Sequence, residues 1–275
     1  MSTLKGAAAL GAGAVIVGGT GFGVYRHLSH DPMPENYVVL AKSSDKVSDT
    51  AHIGNVYGDY LIAPFGNNGN DNEEWWNWSY RRWQADSENE NIKLSDDFGK
   101  NAVKHSYKSK TETSAEEEKS LNKICKTVYG KAKTEINKEA NKPEKERLKN
   151  DLWKYCSVFG EAPKTVSDIG TENYGTGTFG EDKKDKLIGI TGNDGFWKVK
   201  NKEFFERGDN NQGTGNGLTQ ATDSLFYDLY DSKNKGSRGD LRNTCGAAYR
   251  VNKTSQPTEP KVTETNLLKF CTLDK

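Results

Sequence analysis

No charge of either sign predominates in this chain. Its 39 Lys and Arg are balanced by 39 Asp and Glu over 275 residues, so no global field draws it to nucleic acid or to an anionic surface. A nucleic-acid partner is therefore not expected. Apolar residues are also scarce, at 33% of the chain, which predicts small cores that depend on cross-links, although six Trp and twelve Tyr offset part of the deficit.

The signatures of catalysis are missing too. H-E-x-x-H, G-x-S-x-G and C-x-x-C do not occur, and the four histidines, His27, His30, His52 and His105, lie in the first half without counterparts in the second. The glycine-rich stretches NYGTGTFGEDKK and Gly208 to Gly217 do not end in Gly-Lys-Ser/Thr, so neither is a phosphate-binding loop. GAGAVIVGGTGFG imitates a dinucleotide loop, but no strand precedes it. Glu73 with Glu74, and Glu116 to Glu118, read as solvated first turns of helices. No enzyme, cofactor or metal is expected.

What is present is repetition. LNKICKTVY at 121–129 returns as LRNTCGAAY at 241–249, and LWKYC at 152–156 returns as LLKFC at 267–271. ENY at 35–37 matches ENY at 172–174, and LIAPFGN at 61–67 matches LIGITGN at 187–193. Trp76, Trp78 and Trp83 then fall opposite Trp197, Val199 and Phe204. Anchors that keep their order while the loops change length describe a duplicated domain. The expected fold is mainly α, a duplicated helical domain with a few short strands, divided as 1–26 (membrane anchor or signal), 27–36 (linker), 37–165 (first repeat) and 166–275 (second repeat).

Within the first repeat, extended segments are expected at Tyr37 to Ala41 and Tyr60 to Phe65. Asp71 with Glu74 makes a capping box for a helix carrying WWNWSYRRW, and Ser114 with Glu117 one for a helix through Cys125 and Tyr129. Pro143 suits the first position of a third helix. The second repeat places helices at about Thr222 to Tyr230, Arg238 to Tyr249 and Thr263 to Thr272.

The four cysteines fall two to a repeat. Of three connectivities the simplest joins Cys125 to Cys156 and Cys245 to Cys271; the alternative is four buried thiols acting as small apolar residues. Each bridge would contribute roughly 3 to 4 kcal/mol in the chain-entropy account. Bridges would also favour an exported chain.

Gly6 to Tyr25 is an uncharged run between Lys5 and Arg26. As a helix it would be about 30 Å long, the thickness of a bilayer core, so a single N-terminal membrane helix is expected, with a cleaved signal peptide as the alternative. Small residues four apart, Ala9/Gly13, Ala14/Gly18 and Gly19/Gly23, suit helix pairing and hence an oligomer.

The expected contact surface is the aromatic and cationic run: Trp75, Trp78, Arg81 and Arg82 are able to stack on sugar rings or partner aromatics, while Trp76 and Trp83 are expected in the core. LKGAAALGAGAVIVGG at the N-terminus, with LWKYC and LLKFC, resembles the large paralogous surface-protein families of haemotropic mycoplasmas. That resemblance implies a surface-exposed protein of a wall-less blood-dwelling bacterium, concerned with host-cell contact or antigenic variation, and supplies no activity to carry onto residues. The expectation is a membrane-anchored or secreted surface protein with its C-terminal region outside the cell, meeting a host protein or glycan. A membrane-associated assembly protein, or less favourably a surface hydrolase, is the alternative.

Overall fold

The computed structural model describes residues 31–67, 69–139, 141–206, 212–235, 238–254 and 260–273, so the run at 6–25, with His27 and His30, lies outside the described residues. The described chain is mainly helical: α1 (Ile53–Val56), α2 (Glu73–Glu88), α3 (Leu121–Tyr129), α4 (Pro143–Tyr155), α5 (Val166–Ile169), α6 (Phe179–Asp182), α7 (Asp194–Glu206), α8 (Ser224–Asp231), α9 (Leu241–Tyr249) and α10 (Glu264–Cys271). Among the described residues no helix is long and apolar enough to cross a membrane.

Helix ends follow local chemistry. Pro143 opens α4 at the position where its missing N–H costs nothing. Asp223, Asp240 and Thr263 accept backbone N–H bonds at the starts of α8, α9 and α10. Two expected caps differ. Ser114 and Glu117 do form a reciprocal box, but it heads only a 3-10 turn at Glu117–Lys119, and α3 begins after Ser120. At α2 the N-cap is Asn72, with φ at 63°, while Asp71 accepts from the Glu73 N–H.

The expected strands also require correction. Segments near Val39 and Ile62 pair through Leu40 N–H to Leu61 O at 2.7 Å and Ala63 N–H to Val38 O at 2.9 Å, then separate as the chain turns at Leu40–Lys42. The result is an isolated bridge, and the described residues form no sheet.

Hydrogen bonds recur position for position in the two halves. Tyr129 donates its buried hydroxyl to Ile62 O at 2.9 Å and Cys156 O at 3.0 Å; Tyr249 donates to Ile188 O at 2.7 Å and Cys271 O at 3.5 Å. The Ile62 N–H donates to Cys156 O at 2.9 Å and the Ile188 N–H to Cys271 O at 3.0 Å. Disulfides join Cys125 to Cys156 and Cys245 to Cys271, and all four residues are fully buried. The bridge His52 to Ala132 likewise matches Thr178 to Asn252.

A second recurring device is an asparagine clamp. Asn72 Nδ2 donates to Val38 O at 2.9 Å and Ala63 O at 2.8 Å, and its Oδ1 accepts from the Val38 N–H. Asn193, with φ at 58°, does the same to Lys164 O, Gly189 O and the Lys164 N–H. Both hold a left-handed backbone, which Asn tolerates better than other residues with a Cβ. The indoles beyond them repeat as well: Trp76 donates to Ala63 O at 3.3 Å and Trp197 to Gly189 O at 3.0 Å.

These bonds correct two alignments. Asn193 corresponds to Asn72, not Asn67, because the first half carries five more residues between the Ile62 bridge and the helix. Val38 corresponds to Lys164, so Glu35 to Tyr37 lie opposite Glu161 to Pro163, and the ENY match at 172–174 is coincidental.

Residues 33–275 form one compact unit. Phe159, at the crossing between halves, packs its ring 5.0 Å from Tyr60 and 5.5 Å from both Trp153 and Phe196. Gly195 makes that approach feasible, since a Cβ there would stand 2.0 Å from Phe159 O.

One buried tie differs between halves. The Ser95 N–H and hydroxyl both donate to Asp151 Oδ2 at 2.7 Å, whereas Asp223 Oδ2 accepts from Thr263 and from Asn266, the counterpart of Asp151 five residues before the cysteine. Burial pushes the Asp151 carboxyl up from 3.8 to about 6 despite the Ser95 bonds. The native chain then holds a proton that the unfolded chain releases, so this stability is complete below about pH 3.8 and is lost as pH rises through about 6. Asp151→Asn, whose Oδ1 still accepts from Ser95, should gain roughly 1 to 3 kcal/mol over the parent at pH 8 and almost nothing near pH 4 in urea unfolding.

Candidate functional site

The WWNWSYRRW run lies on α2, and its aromatic residues face inward. Trp75 is 0% exposed and Trp78 7% exposed, which corrects the expectation that they form a contact surface; Trp76 and Trp83 are buried as expected. Trp75 meets Trp76 edge to face with centroids 4.9 Å apart, the arrangement that Phe196 and Trp197 repeat on α7. Helix α2 is apolar around much of its circumference because α3 and α4 both pack on it. The signal for burial was in the second half, where Phe196 and Val199 occupy the positions of Trp75 and Trp78.

Arg82 is half-buried and holds the fold together. Its guanidinium carbon stands 4.6 Å from the Trp78 ring centroid, and its nitrogens donate to Gly160 O at 2.5 Å and Lys154 O at 3.3 Å. The Ser79 hydroxyl donates to Tyr155 O at 2.7 Å. Together they satisfy the Lys154 and Tyr155 carbonyls in the last turn of α4, which no helix N–H reaches, and the Gly160 carbonyl beyond it. Lys200, the counterpart of Ser79, donates to Lys269 O at 3.1 Å near the end of α10. Of the four expected contact residues only Arg81 is exposed.

Concavity lies elsewhere. A cleft of about 530 Å³ opens where the two halves meet, with Tyr57, Ile136 and Trp153 on one side and Pro163, Ile188 and Leu273 on the other. Its ionisable rim holds Lys133, Lys138, Lys149 and Lys186 with Asp168 and Asp185. Lys138 reaches across the junction to Asp168 at 2.7 Å. Burial alone would raise the Asp168 carboxyl, yet hydrogen bonds from Lys138 and Thr165 and the field of Lys149 hold it below its ordinary value. A second, more open cleft of about 710 Å³ lies beside Phe179, Lys253, Val262 and Glu264.

Among the described residues neither cleft has a His or a Cys in its lining. His52 stands ahead of α1, 3.6 Å from Asp49, and the His105 carbonyl accepts from the Leu121 N–H. Among the described residues no three His, Cys, Asp or Glu converge as metal ligands. Buried acids serve structure: Asp86 accepts from the Tyr155 hydroxyl at 2.6 Å and pairs with Lys154 at 2.5 Å. The arrangement offers a concave surface at the junction, rimmed by both lysines and aspartates. No family model, curated protein or solved structure matches the chain.

Arg82→Ala should lower stability by roughly 2 kcal/mol, since two backbone carbonyls lose a charged donor and Trp78 loses its stacked cation. Arg82→Lys should recover less than half of that loss, because an ammonium cannot span both carbonyls. Equilibrium urea unfolding of the oxidised protein checks both; an unchanged midpoint in Arg82→Ala would return this residue to a surface role.

Proposed function

We propose that this chain is an exported surface protein made of two copies of one helical domain, acting by binding and not by catalysis. The observation that carries the reading is the pair of buried disulfides at corresponding positions, Cys125 to Cys156 and Cys245 to Cys271. Disulfides persist in oxidising surroundings and are reduced in the cytosol. Both are built into the core beside a buried tyrosine hydroxyl, as expected of structural cross-links.

Duplication is supported by the matched tyrosine bonds, asparagine clamps and aromatic pairs. On this reading the second copy begins at Pro163, the counterpart of Tyr37, three residues ahead of the boundary at 166 inferred from sequence. The uncharged run at 6–25 would fix the chain in the membrane with residues 33–275 outside, in keeping with the resemblance to mycoplasma surface families. A host protein or glycan is the proposed partner. With Trp75, Trp78 and Arg82 occupied in the core, the clefts and the exposed loops are the surfaces left for that contact.

Peptide mass spectrometry under non-reducing conditions, on protein taken from its own cells with thiols blocked at lysis, tests export. Quantitative recovery of the two bridged peptide pairs is expected. Four blocked thiols would contradict export and move a cytosolic assembly role to the front.

A further inference from the structure

The two halves serve as controls for each other, and they differ at the floor of the cleft between them. Counted from Cys156 and Cys271, LWKYC and LLKFC place Trp153 opposite Leu268. The second half is therefore built with an apolar side chain and no donor at this position. In the first half an indole stands there, 1% exposed, on the lining of the 530 Å³ cleft. Its ring packs edge to face on Tyr57 at 5.0 Å and beside Phe159 at 5.5 Å, so its apolar surface is occupied by the core. Its polar atom is not, because the Trp153 Nε1 is buried and meets no acceptor among the described residues.

A buried indole N–H ordinarily finds a partner, and leaving one unmet is costly. Trp76, Trp83 and Trp197 each donate to a backbone oxygen. Trp75 shares the deficit, but it is sealed on α2 and lines neither cleft. Trp153 differs in standing beside open space, where an oxygen held in the cleft can meet its N–H.

The rest of the lining narrows what carries that oxygen. Tyr57, Ile136 and Ile188 offer apolar surface. Glu146, Asp168 and Asp185 stand among the lysines of the rim and of an adjoining hollow of about 310 Å³, so neither an anion nor a cation is favoured. The Asp185 carboxylate is exposed on that rim and makes no ion pair or hydrogen bond among the described residues. A neutral ring, apolar on its faces and hydroxylated at its edge, meets all three demands, since each hydroxyl both accepts and donates. The volume falls within the range of small-ligand pockets, which occur preferentially where domains meet.

We propose that the cleft between the halves binds a neutral pyranose sugar, with one hydroxyl accepting from the Trp153 indole N–H and another donating to Asp185. This rests on the binding role proposed above and gives it a chemistry. Export is decided separately by the bridged peptides, so a cleft that takes no sugar would leave that reading standing.

Nuclear magnetic resonance titration of the full oxidised chain with the methyl glycosides of galactose, mannose and N-acetylglucosamine tests it, read at the indole N–H signals. Saturable movement of the Trp153 signal is expected with at least one of them, while the Trp75 signal stays in place. Trp153→Leu, which installs the residue of the second half, should weaken binding roughly tenfold or more in calorimetry through loss of a buried hydrogen bond. Asp185→Ala, on the exposed rim, should weaken it severalfold without moving the unfolding midpoint, which decides the matter if Trp153→Leu fails to fold. Thr222→Ala, on the other cleft, should bind as the parent does. A Trp153 signal unmoved by all three sugars would mean that water alone meets the N–H and would overturn the site, as would binding unchanged in Asp185→Ala and in a folded Trp153→Leu.

Discussion

Cys156 and Cys271 each gather one covalent and several polar constraints at a single residue. The sulfur of Cys156 is bonded to Cys125 on α3, its carbonyl accepts from both the Tyr129 hydroxyl and the Ile62 N–H, and its own N–H donates to Leu152 O. Cys125 and Tyr129 stand one helical turn apart, so the covalent and polar bonds leave the same face of α3. Three segments distant in sequence are thereby fixed at one point, which lets a chain with few apolar residues hold a small core. The three corresponding segments of the second half meet at Cys271.

Around these points the contacts are kept while the residues that make them change. Ser79 and Arg82 cover the end of α4; Lys200 covers the end of α10. A carboxylate on α4 receives Ser95 in one half, and a carboxylate ahead of α8 receives Thr263 and Asn266 in the other. Buried polar groups must find partners, so substitutions in each half are constrained to exchange donors and acceptors as sets. At the junction the Tyr60 hydroxyl donates to Glu203 Oε2 at 3.2 Å, and the Lys200 ammonium stands 3.6 Å from the same oxygen.

Much of this was legible in the sequence because it depends on spacing. Leu121, Cys125 and Tyr129 recur every fourth residue and place the cysteine and the hydroxyl on one face. Pro143 marks the start of α4, and the three later helices of the second half end within a residue or two of where periodicity sets them. The asparagine clamps were not legible, because Asn72 sits among Asn67, Asn68 and Asn70, and nothing local distinguishes the one that turns left-handed. The strands were overcalled because an extended pair needs length as well as β-branched residues, and these segments touch for one residue pair. Trp78 and Arg82 looked like a binding surface because the same residue types that anchor interfaces also anchor cores. The cleft could not be seen at all, since its lysines come from 133–149 and 186, brought together only when the halves pack.

Hydrogen exchange read by mass spectrometry, before and after reduction, tests most directly whether both halves are organised around their cysteine hubs. Segments carrying the Ile62 and Ile188 amides, which donate to Cys156 O and Cys271 O, should be among the slowest to exchange in the oxidised protein, and both should lose protection together when the bridges are reduced. Protection confined to one half, or unchanged by reduction, would contradict the account.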